Sequence, residues 1–220
     1  MGGRVTKGPD RGHETLDADD FPAAPRSDIV TFTGVTRGSA MGKIHVHEFI
    51  TLDGSYEDPS FTMPYGFPDA LGETLSSFMN DCTGILLGRN TFEMFGPEWS
   101  DRTVDDDPGA PFFNDTTKYV VSSTLDEASG WQNSEVIGAY DADRIRERKK
   151  DRDLYISGSG TLVRALLRDK LIDELHLLVY PVVLGSGARL FDGLADLPLT
   201  LVGTDVFDNG VVHLSYSSTD

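Results

Sequence analysis

Three short turns carry the residue types that hold an anion. Gly158-Ser159-Gly160-Thr161 follows the apolar run Leu154–Ser157 and opens the helical pattern Thr161–Arg168. A strand that runs through glycines into a helix turns backbone N–H groups toward a phosphate. Gly88-Arg89-Asn90-Thr91 repeats the arrangement after Gly84–Gly88 and adds a guanidinium, and Ser122-Ser123-Thr124 offers hydroxyls after Lys118–Ser122. Each turn also has a plain reading. Serine and glycine close turns without any ligand, and Gly-Ser-Gly lacks the third glycine of the dinucleotide fingerprint. All three follow strands of the kind that share one sheet, and open α/β sheets bind ligands beyond the carboxyl ends of their strands.

Other reactive residues carry less. His45 and His47 stand two apart on one strand and share a face. Such a pair can bind zinc only with further ligands, and no Cys or His cluster along the chain offers them, so no metal is expected. Cys82, the single cysteine, has Asp81 and Thr83 as neighbours. Nothing there lowers its pKa, and a small buried filler is the expectation. Trp99, Phe112 and Phe113 could cover a flat heterocycle or simply pack. The run Arg144, Arg146, Arg148, Lys149, Lys150 reads as a solvated helix face.

These residues need a scaffold, and the apolar pattern supplies one. Strands are expected at Ile44–Leu52, Gly84–Gly88, Lys118–Ser122, Glu135–Ile137, Leu154–Ser157 and Leu175–Tyr180. Helices are expected at Ala70–Asn80, Arg89–Phe95, Asp141–Lys150 (with Asp141 as cap) and Thr161–Arg168. Gly96–Thr117 reads as an irregular loop. Leu199–Phe207 and Val211–Ser215 flank Asp208-Asn209-Gly210, a hairpin signal because Asn-Gly tolerates positive φ. The expected fold is therefore α/β, a mostly parallel sheet flanked by helices, with an antiparallel C-terminal hairpin. The exposed edge of that hairpin makes a homodimer the expected assembly.

Composition sets the outer limits. The chain has 220 residues and a net charge of −17. Residues 1–40 are rich in Gly, Pro, Asp and Arg and lack periodicity, so they are expected to be a disordered extension, with Met41 as the expected biological start. Residues 41–220 form one expected domain holding 14 Lys/Arg against 30 Asp/Glu. Such a body repels nucleic acid and anionic membranes. No apolar run is long enough for a membrane span and no signal pattern opens the chain, so a cytoplasmic protein is expected.

The segments LLGRNTFEMF, KYVVSSTL, ISGSGTLVRALL and LIDELHLLVYPVVLGSGARLF, opened by FITLDG, keep their order and spacing over residues 43–216. They resemble the dihydrofolate-reductase-like fold, and within it the C-terminal reductase domain of the riboflavin-pathway deaminase-reductase. Thr51 replaces that family's serine before Leu-Asp-Gly. The resemblance implies an enzyme that uses NADPH as hydride donor. It implies a pyrophosphate site at Gly158, Ser159, Gly160, Thr161 and Leu162. The adenosine side would lie at Gly88, Arg89, Thr91, Ser122 and Ser123, where a guanidinium suits the extra ribose phosphate. Asp53 is implied beside nicotinamide and substrate, although Asp-Gly is equally a turn. Glu174 is implied near a substrate ring N–H, although a carboxylate at a strand start is equally ordinary. Pro181, Gly185 and Gly187 would shape the turn over the pocket.

The substrate stays open. Riboflavin-pathway reductases of this type act on a phosphorylated ribosyl-pyrimidine, and Asp105, Asp106 and Asp107 oppose a phosphate unless Arg102, Lys118 or Arg189 offsets them. The zinc signature of the deaminase domain is absent from the sequence. A pterin or dihydrofolate reductase and a non-catalytic, dimeric nucleotide-binding protein are the alternatives.

Overall fold

The computed structural model describes residues 41–218, and the expectation of disorder for residues 1–40 lies outside them. Eight strands form one sheet. They are β1 (Ile44–Thr51), β2 (Gly84–Gly88), β3 (Thr117–Val121), β4 (Ser134–Gly138), β5 (Leu154–Ser157), β6 (Glu174–Tyr180), β7 (Leu199–Val206) and β8 (Val212–Ser218). Their order is β4-β3-β2-β5-β1-β6-β8-β7. The first six are parallel, while β8 runs antiparallel to β6 and β7 antiparallel to β8. The chain has the dihydrofolate-reductase-like fold expected from its sequence, terminal hairpin included.

Alternation along each strand sorts side chains to two faces. Ile44, Val46 and Ile50 of β1 pack with Leu86, Leu154 and Ile156 against α4 (Ala142–Lys149) and α5 (Gly160–Arg168). The α5 residues Leu162, Val163, Leu166 and Leu167 are all buried there. Each contributes on the order of 1.5–3 kcal/mol before conformational entropy is set against it. The other face holds Ile85, Leu87, Val120, Tyr155 and Tyr180 under α1 (Asp69–Met79), α2 (Arg89–Trp99) and α3 (Ala110–Asp115). Asp141 caps α4 as expected, accepting hydrogen bonds from the amides of Asp143 (3.0 Å) and Arg144 (3.1 Å).

The region read as loop, residues 96–117, is corrected. α2 continues through Pro97 to Trp99, and Pro111 sits in the first turn of α3, where its missing N–H costs nothing. Asn114 holds the two helices together. Its amide donates to the carbonyls of Trp99 (2.8 Å) and Arg102 (3.0 Å), and its Oδ1 accepts from the indole of Trp131 (2.8 Å). Trp99 stacks on buried Phe113 with ring centroids 4.2 Å apart, so these aromatics pack rather than face a ligand. Pro59–Tyr65 forms a short 3-10 helix after β1, a segment the apolar pattern did not mark.

Candidate functional site

Because six strands run the same way, their carboxyl ends lie along one edge, and the three turns after β2, β3 and β5 meet there. The hydrogen position of Gly88 faces Ser159, so a Cβ at residue 88 would lie 2.1 Å from Ser159 Oγ. Thr91 is buried, and its methyl lies 3.6 Å from where a Cβ on Gly158 would be. The β2–α2 and β5–α5 turns are therefore in direct contact. Gly158 and Ser159 both have positive φ, 77° and 73°. For serine that conformation costs about 1 kcal/mol or more, a strain that concentrates where backbone is shaped for binding.

No side chain caps α5, whose first helical hydrogen bond runs from Val163 N–H to the Ser159 carbonyl (3.0 Å). The amides of Gly160, Thr161 and Leu162 precede that bond and have no partner within the helix. α2 also begins without a side-chain cap, at Gly88. Two helix N-termini thus share one corner of the sheet, and their partial positive charges add there. Arg89 joins the third turn to them: it donates to Thr124 Oγ1 (2.8 Å) and pairs with Glu93 (2.8 Å). Ser122 is buried and its Oγ accepts from the amides of Thr124 (3.1 Å) and Leu125 (3.0 Å). It shapes the turn and presents Thr124, while Ser123 is exposed.

The end of β1 lies next along the same edge. Asp53 accepts a hydrogen bond from Thr51 Oγ1 (2.6 Å) and from the amides of Leu184 (3.3 Å) and Gly185 (2.9 Å), and it lies 3.5 Å from Arg189. The Thr51 hydroxyl, followed by these amides, holds its carboxyl down to about 2. It is an anion at neutral pH and a latch between the β1 turn and the glycine loop after β6. Gly187 is required in that loop, since a Cβ there would lie 2.7 Å from Ser55 Oγ and φ is 90°.

Three residues at or near this edge carried no sequence signal of their own. The ring of Tyr56 covers Gly160 so closely that a Cβ there would lie 2.3 Å from it. Arg164 donates to Tyr56 (3.3 Å), to the Arg189 carbonyl (3.2 Å) and to Thr161 Oγ1 (3.3 Å). It stands four residues after Gly160, one helical turn, which is the signal that could have found it. Glu48, within β1, is the third, fully enclosed with no partner for Oε1, and burial pushes its carboxyl up to about 8.

The structure does not bring Glu174 to this edge. It is the first residue of β6 and pairs with His45, whereas Tyr180 ends that strand beside Thr51. Six residues of extended chain, about 20 Å, separate it from the carboxyl ends. Glu174 lies instead with Lys43 (2.6 Å), His45 (3.1 Å) and His176 (3.5 Å) at the opposite edge. The expectation that no further ligand stands near the β1 histidines is corrected as well, because His45 Nδ1, Glu174 and His176 present donor atoms within 4.8 Å of one another. His47 turns away to the Tyr155 hydroxyl (2.8 Å).

The cations set against the acidic loop divide in the same way. Lys118 is fully buried and donates to the carbonyls of Phe113, Asn114 and Thr116. Arg102 pairs with Glu98. Arg189, beside Asp53, is the one of the three at the carboxyl edge. Cys82 is the expected filler, buried and pushed up to about 12 by that burial.

Comparison with known proteins bears on the same segments. The protein YyaP of Bacillus subtilis (strain 168), itself uncharacterized, is 29% identical over 177 residues, covering 76% of this chain and 90% of its own length. A putative riboflavin biosynthesis protein from Shewanella sp. PV-4 superimposes with a TM-score of 0.66 at 23% identity, over 82% of this chain and 100% of that one. Dihydrofolate reductase from Enterococcus faecalis, complexed with NADP(H), superimposes with a TM-score of 0.55 at 17% identity, over 82% and 98%. Residues 42–213 match the RibD C-terminal domain across every turn described above, and the chain belongs to that family.

Proposed function

We propose that this chain is an NADPH-dependent reductase of the riboflavin-pathway type, acting on a small heterocyclic or carbonyl substrate. The observation that carries this reading is the contact between the Gly88 and Gly158–Gly160 turns, where two uncapped helix N-termini and Arg89 converge. A cradle whose walls would close if either glycine carried a Cβ fits a diphosphate laid against bare backbone. Arg89 with Thr124 supplies a cation and a hydroxyl for a ribose phosphate. The dihydrofolate reductase that shares the fold is complexed with NADP(H), which supports a nicotinamide dinucleotide as the ligand.

NADPH, when bound, supplies a hydride. The protein's own part is position and charge. The amides of Gly160, Thr161 and Leu162 hold the diphosphate, and Arg164 braces Tyr56 over Gly160. Asp53 stays ionised at neutral pH, so it is not the acid that protonates the product. It orients Arg189 and the 184–185 amides and can accept a hydrogen bond from a substrate N–H. Arg189 is the cation available to a substrate phosphate. Glu174, at the opposite edge, takes no part in this chemistry.

The use of Asp53 as a structural latch for Thr51, Leu184 and Gly185 favours one rival, a dinucleotide-binding protein without turnover. Titrating dihydronicotinamide fluorescence with the full chain, then following its oxidation with a ribosylamino-pyrimidine, dihydrofolate and simple carbonyl compounds, separates the two. Binding with oxidation on one of these supports the reductase, binding without oxidation the rival, and no binding sinks both. We also propose a cytoplasmic homodimer, consistent with a lone buried thiol. Its contact would be edge strand β7, which exposes Leu201, Val202 and Val206. Sedimentation of wild type against Val202→Lys tests it; a monomeric wild type rejects it.

A further inference from the structure

Four of the five histidines stand on neighbouring strands, His45 and His47 on β1, His176 on β6 and His213 on β8. From these we infer that His45, Glu174 and His176 form a divalent transition-metal site, of the zinc class, at the amino edge of the sheet. It is separate from the proposed dinucleotide corner.

The case begins at Asp205. Its carboxylate can only accept, so His213 Nδ1 at 2.9 Å carries the proton. In the tautomer that leaves Nε2 of His213 an acceptor, His176 Nδ1 at 3.1 Å is the donor. That leaves Nε2 of His176 as a bare lone pair, and what it faces, 3.5 Å away, is an oxygen of Glu174. His45 Nδ1 approaches the same oxygen at 3.1 Å. Both nitrogens are buried and neither has a hydrogen-bond partner. Two buried ring nitrogens and a carboxylate oxygen converge on one point, and their lone pairs repel unless a proton or a metal ion stands between them. A single proton can bridge only one nitrogen to the oxygen, whereas an ion satisfies all three.

The two spacings to Glu174 agree with an ion. Ligands about 2.0–2.1 Å from a tetrahedral zinc lie roughly 3.3 Å apart, and the two separations to Glu174 bracket that value. The surroundings have the form of a ligand support. A metal-bound imidazole commonly passes its other N–H to a carboxylate or another acceptor, which is the His176–His213–Asp205 chain. Phe78 stacks on His176 with centroids 3.9 Å apart and a 10° tilt, fixing the ring. Lys43 holds the other Glu174 oxygen at 2.6 Å, leaving the first free for the ion. Both imidazoles are at least nine-tenths buried, yet Glu174 is 28% exposed, so the site opens to solvent on one side. Two imidazoles and one carboxylate leave a fourth position for water or another ligand.

The test uses the full chain, freed of metal by chelator and titrated with Zn²⁺ by calorimetry and with Co²⁺ by visible absorption. One ion per chain is expected, with the intense Co²⁺ bands of four- or five-coordination. Glu174→Gln and His176→Gln should weaken binding about 100-fold or more. Asp205→Asn, a half-exposed position that touches no ligand atom of the site, should weaken it about tenfold and keep the Co²⁺ band shape. His13→Ala, in the N-terminal forty residues, should change nothing. If His176→Gln does not fold, Glu174→Gln and Asp205→Asn decide. Wild type that takes up no ion, or uptake that survives Glu174→Gln, overturns the inference and leaves a proton-shared cluster.

Discussion

The two edges of the sheet solve opposite problems with the same strands. At the carboxyl edge the polar capacity belongs to the backbone. Glycines at 88, 158 and 160 strip side chains away, helices begin uncapped, and what remains is a row of amides with Arg89 beside them. At the amino edge the capacity belongs to side chains. Lys43, His45, Glu174 and His176 face one another, and Lys149 pairs with Asp173 at 2.6 Å. The first arrangement leaves amides without a partner inside their own helix, and the second closes polar groups on each other. Changes at the carboxyl edge should therefore remove binding while the fold survives. Changes among the enclosed side chains should act on the fold.

The largest effect expected is at Gly160. Gly160→Ala puts a Cβ into the Tyr56 ring and should raise the Kd for NADPH about 100-fold or more, with far-UV circular dichroism unchanged. A variant with wild-type affinity would break the comparison on the binding side. Lys118→Met probes the other side, because it removes a buried ammonium from three carbonyls in the turn before β3. It should cost about 2–4 kcal/mol in urea unfolding and leave NADPH affinity intact. A neutral result would mean that water or repacking satisfies those carbonyls.

Arg89→Ala is a finer cut within the carboxyl edge. It should weaken NADPH about tenfold more than NADH, and equal losses would remove the ribose-phosphate role. Asp53→Asn should show the smallest effect, and a pH-dependent one. The wild-type carboxyl is held down to about 2 against an ordinary 3.8. The stability it contributes is therefore present above the ordinary value and is lost as pH falls through about 2. Denaturation midpoints of wild type and variant should differ at neutral pH and converge in strong acid. A gap that persists there would assign the effect to packing.

Most of the scaffold was legible in the chain because apolar period and burial coincide, as in GILLG and in α5. Residues 96–117 were not, because Gly96-Pro97 and Pro108 look like breaks. The helices there depend on Asn114 bonding to Trp99, Arg102 and Trp131, which are not its neighbours in sequence. The three turns were legible as a set, since strand ends of a parallel sheet are bound to share an edge. Glu174 was misplaced for the same reason read backwards. It begins its strand, and a parallel strand begins at the far edge. The partnership of His45 with Glu174 and His176 depends on β1–β6 register across about 130 residues, which no local spacing encodes.

The central claim is that the carboxyl edge holds the dinucleotide through its backbone. Amide chemical shifts of isotope-labelled full-length protein, followed as NADPH is added, test it most directly. The account predicts the largest changes at Gly88–Thr91 and Gly158–Leu162, with the amides around His45 and Glu174 still. Shifts confined to the amino edge, or none at any concentration, would contradict it.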